Sequence, residues 1–262
     1  MSLGLAGSAQ ADQILPVNDL QFNTFNGTFD PTKDTFTHSE PTGWSIGSVA
    51  QFSNLIFVGQ QGSEGSSPNG TYGVYGTFSN TVPAGYNFYQ ADGNPQYEST
   101  IMQTISGLSA GTTYDLQFQQ AAGQQTTFHG DTTEQWKVFL GAGGIRVDCS
   151  SSPCTITGTT GNIEEDSTLM NTPSMGNTNW NNVDLTFTPS AADLTDGSAV
   201  LTFLAWGDSG STTNLPPTVF LEGVNTTPVV PEPATLSILG VGLLGLGAVM
   251  MRRRAKQGGA AA

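Results

Sequence analysis

Tyr114-Asp115-Leu116-Gln117-Phe118 is apolar at every second position. Successive side chains of a strand point to opposite faces, so Tyr114, Leu116 and Phe118 share one side and Asp115 and Gln117 the other. That alternation predicts a strand with one face buried and one wet, as in an antiparallel sheet. Val183-Asp184-Leu185-Thr186-Phe187-Thr188 repeats the pattern with Val183, Leu185 and Phe187. Further runs rich in β-branched and aromatic residues lie at Ala50 to Val58, Thr71 to Phe78, Ser99 to Ile105, Gln135 to Leu140, Ala199 to Ala205 and Thr218 to Val224. Turn-forming Gly, Asn, Pro and Ser separate them. The expected fold is all-β, an antiparallel β-sandwich of jelly-roll type, with no helix before the C-terminal tail.

Between these runs the chain is uneven. Ser106-Gly107-Leu108-Ser109-Ala110-Gly111 is short enough for a compact inter-strand connection. Cys149 to Asn182 is polar and Gly/Thr-rich, and reads as a long loop stapled near its base by the cysteines. Cys149 and Cys154 are the two cysteines of the chain. They predict a disulfide in an oxidising compartment; two free thiols or half of a metal site are the other readings. With two histidines, His38 and His129, a zinc shell is poorly supplied, and no metal is expected there.

Composition excludes some partners. Only Lys33, Lys137 and Arg146 are basic before the tail, against twenty Asp and Glu, which leaves −17 over that stretch. A field of that sign repels phosphate backbones, so no nucleic-acid partner is expected. Charged residues are 11% of the chain, and Ser, Thr, Asn, Gln and Gly supply the surface instead. That balance suits exported β-proteins and modules associated with sugars.

The C-terminus differs in kind. Pro231-Glu232-Pro233 is followed by an uncharged Leu- and Gly-rich stretch from Ala234 to Met251, then Arg252-Arg253-Arg254-Ala255-Lys256. Eighteen residues at ~1.5 Å rise span roughly 27 Å, close to a bilayer's hydrocarbon core. The basic cluster acts as a membrane stop on the cytoplasmic side, placing the preceding chain outside. The expected organisation is a truncated signal-peptide remnant over 1–11, a β-sandwich ectodomain over 12–225, a Pro-rich linker with the sorting motif over 226–233, a transmembrane helix over 234–251 and a basic cytoplasmic tail over 252–262. Ser8-Ala9-Gln10-Ala11 has the small residues of a secretory cleavage site, and the expected start codon lies upstream.

In order and spacing, this tail resembles the PEP-CTERM sorting signal of exported bacterial proteins. The resemblance implies an exosortase-type protease as a processing partner, cleavage near Pro231-Glu232-Pro233, inner-membrane anchoring beforehand, and delivery to the envelope, surface or extracellular matrix. A second resemblance covers most of residues 20–225. Phe25-Asn26-Gly27-Thr28-Phe29-Asp30, then Gly43-Trp44, Ile101 to Ile105, Gly111 to Phe118 and the three closing runs resemble galactose-binding-domain-like jelly rolls. Glu222 stands where that family usually has an aspartate. The resemblance implies the fold and, for many members, carbohydrate binding.

For chemistry the sequence offers little. No His-Glu-x-x-His and no phosphate-binding loop is present, and no catalytic residue is expected. His38 and His129 each have a carboxylate two residues on, but a solvated surface His is the simpler reading. Aromatic rings beside amides and carboxylates are the better candidates, because sugar C–H faces stack on rings while polar groups take the hydroxyls. The candidate ligand contacts are Tyr86, Tyr89, Trp180 and Trp206; Trp44, Trp136 and Tyr114 read as core. A structural Ca²⁺ could be held by Asp30, Asp34 and Glu222, or by Glu164-Glu165-Asp166, although a solvated acidic face is the default. The expected function is association with extracellular polysaccharide. The alternatives are a structural or adhesive surface protein without a small ligand and, third, a glycan-active enzyme.

Overall fold

The alternation at Tyr114 becomes the longest ladder of one sheet. The computed structural model describes residues 13–18, 21–22, 41–49, 56–60, 74–76, 78, 87–208 and 217–223. Its strands are β1 (Gln13–Ile14), β2 (Ser45–Ile46), β3 (Ser48–Val49), β4 (Ile56–Gln60) and β5 (Asn87–Asp92). β6 (Thr100–Ser106), β7 (Tyr114–Gln124), β8 (Thr132–Gly141), β9 (Arg146–Asp148) and β10 (Thr155–Thr157) follow. β11 (Asn162–Asp166), β12 (Met170–Thr172), β13 (Asn181–Phe187), β14 (Ser198–Asp208) and β15 (Pro217–Gly223) complete the set.

One sheet runs β13-β7-β15-β5-β4, with β1 beside the start of β7. The second runs β8-β14-β6-β2, with β11 and β12 sharing the other edge of β8. From β5 to β8 each strand enters the sheet opposite its predecessor, and the same holds from β12 to β15. Such crossings bury the inner positions of both sheets against each other. The resulting core holds Tyr114, Leu116 and Phe118 of β7, Val183, Leu185 and Phe187 of β13, and Leu201 and Phe203 of β14. The Trp136 side chain is fully enclosed, and its Nε1 donates to the Phe220 carbonyl at 3.0 Å, tying one sheet to the other. Trp44, Trp136 and Tyr114 are core residues, as their sequence setting predicts. Burial of each such side chain contributes ~1.5–3 kcal/mol.

A third, small sheet of β10, β9 and β3 lies beside these. The chain passes from β2 to β3 through Gly47, where a Cβ would stand 2.6 Å from the Ile145 carbonyl oxygen. Only glycine allows that approach. Val147, Ile145 and Ile156 pack with Phe139 and Leu204, so the small sheet covers part of the outer face of the second sheet. Cys149 and Cys154 are disulfide-bonded beside it, as expected for an oxidising compartment.

The segment predicted as a long loop from Cys149 to Asn182 is a correction. It contains β10, β11 and β12, and the last two pair with β8. Met170 and Thr172 are buried while Asn171 is exposed, a period-two signal only three residues long. In β11 the charged run Glu164-Glu165-Asp166 conceals the strand, because its outward positions carry carboxylates that meet Lys137. Asn87–Asp92, which is not among the runs singled out in the sequence, is β5. Among the described residues no helix is long and apolar enough to cross a membrane. The predicted signal remnant, linker, transmembrane segment and basic tail lie outside the described residues.

Candidate functional site

The outer face of the second sheet is divided. At one end the small sheet covers Phe139 and Leu204. At the other end Trp206 of β14 is half-buried, so part of its indole faces solvent. Register places Gln135 directly opposite Trp206, and Lys137 opposite both Leu204 and Asp166. The Lys137 ammonium lies 5.8 Å from the centroid of the Trp206 ring, within cation–π range. It also meets Glu164 at 2.9 Å and Asp166 at 3.6 Å. Gln135 donates through Nε2 to Asp166 Oδ2 at 3.0 Å. Burial pulls the Lys137 pKa down, but Glu164 and Asp166 more than offset it, and the ammonium is held above its ordinary range.

The 93–99 connection borders this ring. A Cβ on Gly93 would lie 2.7 Å from the Trp206 carbonyl carbon, so the loop can hug β14 only with glycine there. The loop carries Asp92 at one end and Glu98 near the other, both buried. Burial raises the Asp92 carboxyl to about 7, opposed by the Asn94 backbone N–H that donates to it. Burial likewise raises Glu98 to about 7; the Asp92 charge adds to this, and Lys137 acts in the opposite sense. The disulfide braces the loop from the far side, with the Cys154 N–H donating to the Pro95 carbonyl at 2.7 Å.

This face offers groups that can stack and hydrogen-bond. It presents an aromatic plane, amide and carboxylate acceptors and one cation already paired with two carboxylates. His129 is exposed in the turn after β7, and His38 lies outside the described residues. The spacing Gly-x-Ser-x-Gly does occur twice, at Gly43 to Gly47 and Gly107 to Gly111, although the sequence reading expects no catalytic motif. Neither is a nucleophile elbow, which needs a strand-to-helix turn. Ser45 lies within β2 and donates to the Met102 carbonyl, while Ser109 lies between β6 and β7.

The four candidate ligand contacts separate. Trp206 stands on the open face. Tyr89 is fully buried on β5, stacked near Trp136, so the expectation of an accessible ring fails there. Trp180 is 5% exposed and packs with Phe78, Phe88 and Phe220. Its asparagine neighbours are poor guides: Asn179 beside it is exposed, while Trp180, just ahead of β13, turns in under Phe78. Tyr86 lies outside the described residues. Sequence reasoning missed Lys137, Gln135, Glu98 and Asp92. Only sheet register and the folding of the 93–99 loop bring them to Trp206.

The calcium candidates also part. Asp30 and Asp34 lie outside the described residues, and Glu222 is fully buried on β15 between register partners Phe88 and Gln119. Glu164 and Asp166 engage Lys137 instead. Among the described residues no group of three or more Asp, Glu, His or Cys is placed to hold a metal.

Residues 229–254 match the family model of the PEP-CTERM protein-sorting motif, so the chain carries a C-terminal sorting signal. No curated protein matches the chain in sequence. Among solved structures, the enzymatically active domain of bacteriophage CBA120 tailspike protein 4 is 11% identical with a TM-score of 0.33. It aligns over 69% of this chain, which spans only 18% of that one. TmCBM61 in complex with β-1,4-galactotriose is 12% identical over 70% of this chain and 87% of that chain, with a TM-score of 0.32. A CBM4 structure is 18% identical over 65% and 84%, with a TM-score of 0.28.

Proposed function

We propose that this is an exported, C-terminally sorted protein whose sandwich associates with extracellular polysaccharide through the outer face around Trp206. The observation that carries the reading is the half-buried indole of Trp206 with Lys137 over its ring, Gln135 opposite it in the register, and Glu164 and Asp166 holding that lysine and glutamine. A sugar ring offers a C–H face to such a plane and hydroxyls to the groups around it. The sheet is rigid there, because Gln135, Lys137 and Trp206 all sit within paired strands. A preformed platform loses little entropy on binding.

The strand orders β5-β15-β7-β13 and β6-β14-β8 with β11 and β12 support a jelly roll. The sorting signal supports export and exosortase processing. In this reading residues 12–225 form the ectodomain, 226–233 the linker, and 234–251 an inner-membrane span before cleavage. Arg252 to Arg254 and Lys256 hold the tail on the cytoplasmic side. Delivery is to the envelope, surface or matrix. The protein acts as a binder without catalysis.

The reading is tested by titrating the purified full-length protein in detergent against a panel of soluble polysaccharides. Binding at millimolar sugar or tighter is expected, with at least about tenfold loss in Trp206→Ala, since an aromatic anchor commonly carries more than ~1.4 kcal/mol. If no polysaccharide binds, or if Trp206→Ala binds as wild type does, the reading is wrong. Release of reducing ends during the titration would move the protein to the enzyme class.

A further inference from the structure

Glu98 is 4% exposed, yet its carboxyl has no hydrogen-bond partner among the described residues. A buried carboxyl without a partner is costly, and in most folds such a group finds one. Here the oxygens are not sealed from solvent, unlike those of Glu222. The Ala205 N–H donates to the Ser99 carbonyl at 3.0 Å, which continues the β14–β6 register beyond Leu204 and Thr100 and brings Glu98 to the Trp206 end of β14. Lys137, the ammonium that lies over Trp206, acts on the Glu98 carboxyl from the same side. The 93–99 loop is clamped at Gly93 against β14 and at Pro95 against Cys154, so Glu98 cannot easily swing away to solvent.

We propose that Glu98 is the specificity-determining polar group of the Trp206 face, donating its carboxyl proton to a hydroxyl of an uncharged glycan stacked on the indole. This deepens the function proposed above and rests on it. Two further observations carry the ligand class. Among the described residues the positive charge on this face, Lys137, is already paired with Glu164 and Asp166 and is not free to neutralise a uronate or sulfate. The whole region before the tail carries −17, from three basic and twenty acidic residues, and repels polyanions at longer range. A neutral hydroxyl, by contrast, supplies the acceptor that a protonated carboxyl lacks.

The charged groups that act on Glu98 are Asp92 from β5 and Lys137 from β8, and Lys137 is itself paired with Glu164 and Asp166 of β11. Asp148, at the end of β9, precedes Cys149, whose Sγ lies 3.7 Å from the Glu98 carbonyl. The backbone N–H of Ser150 keeps Asp148 below its ordinary value, and it stays ionised through neutrality. Asp92 titrates in the same range as Glu98, so wild type alone cannot separate them. Glu98→Gln can, because the amide keeps a donor and does not titrate.

The experiment uses full-length protein with three probes: neutral β-linked gluco- and galacto-oligosaccharides, polygalacturonate, and a chitosan oligomer. Wild type should bind a neutral oligosaccharide best near pH ~5.5 and weaken about tenfold by pH ~8.5 as Glu98 ionises. Glu98→Gln should bind at every pH close to the low-pH wild-type value, leaving only the Asp92 share of the pH dependence. Glu98→Ala should bind about tenfold more weakly at low pH, the loss of one good hydrogen bond. Thermal melts confirm that each variant is folded, and the Gln variant keeps the test open if the Ala variant is not. Failure of wild type to bind any glycan sinks the polysaccharide reading itself. Binding that Trp206→Ala abolishes but that ignores pH and both Glu98 variants sinks this proposal alone. So does binding to polygalacturonate or chitosan that is as tight as to the neutral probes.

Discussion

The two sheets each carry a tryptophan on the outside of the sandwich, and their fates differ. Trp180, leading into β13, lies under Phe78 and beside Phe88 and Phe220, with ring centroids 6.1–6.3 Å away. Trp206, near the end of β14, is only partly buried, with the Lys137 ammonium over its ring. Both come from Asn- or Gly-rich sequence, and both look equally eligible as sugar platforms. The difference is the covering layer. Val74 and Phe78 close over the first sheet. On the second, the small sheet packs at Phe139 and Leu204, and in the row beyond them Gln135 is buried while Trp206 keeps part of its surface exposed. An outer-face aromatic is therefore core or platform according to what the chain folds over it.

The sharpest way to break this contrast is to truncate each ring. Trp180→Ala should cost about 3–5 kcal/mol in urea unfolding, because a large cavity opens among Phe78, Phe88 and Phe220. Trp206→Ala should cost less, about 1–2 kcal/mol, because that ring is only partly buried. Equal losses in the two variants would mean that Trp206 is also a packing residue.

Next comes the interior against the surface in pH. Glu134 is fully enclosed on β8 and accepts from Thr132 Oγ1 and, at 2.9 Å, from Thr172 Oγ1. Burial raises its carboxyl from 4.5 to about 7, against those two donors. A folded-state value above the unfolded one favours the protonated native form. The stabilisation is full below pH ~4.5 and is lost as pH rises to about 7, on the order of 3 kcal/mol for the group. The Glu134→Gln variant should show a flatter stability profile over that window than wild type. A wild-type profile that instead rises with pH across it would contradict the assignment.

The smallest effect concerns the brace beside the open face. Reducing the Cys149–Cys154 bond releases a loop of about six residues, for which chain entropy predicts about 2 kcal/mol. The Cys149→Ser, Cys154→Ser double variant should lose that much stability and also weaken binding at Trp206, because the 93–99 loop leans on Cys154. Unchanged binding would separate the brace from the platform.

Period-two alternation in β7, β13 and the apolar half of β14 made the sandwich readable, because those strands bury one face and wet the other. The same rule failed for β11, whose charges look like a loop until Lys137 is placed across from them. It failed too for β5, whose Asn87-Phe88-Tyr89-Gln90-Ala91-Asp92 buries both Phe88 and Tyr89 and so shows no alternation. Of the candidate ligand contacts among the described residues, only Trp206 keeps part of its surface exposed, and nothing local distinguishes it from Trp180.

The amino-acid sequence alone determined the sorting signal, the cysteine pair and the all-β character. Each of these is a local property: a run of uncharged residues beside a basic cluster, two thiols five positions apart, a two-residue period. Tertiary structure alone decided which aromatic ring stays open and which carboxyl accompanies it. Glu98, Lys137 and Trp206 are far apart in the chain, and only strand register and a glycine-tight loop make them neighbours.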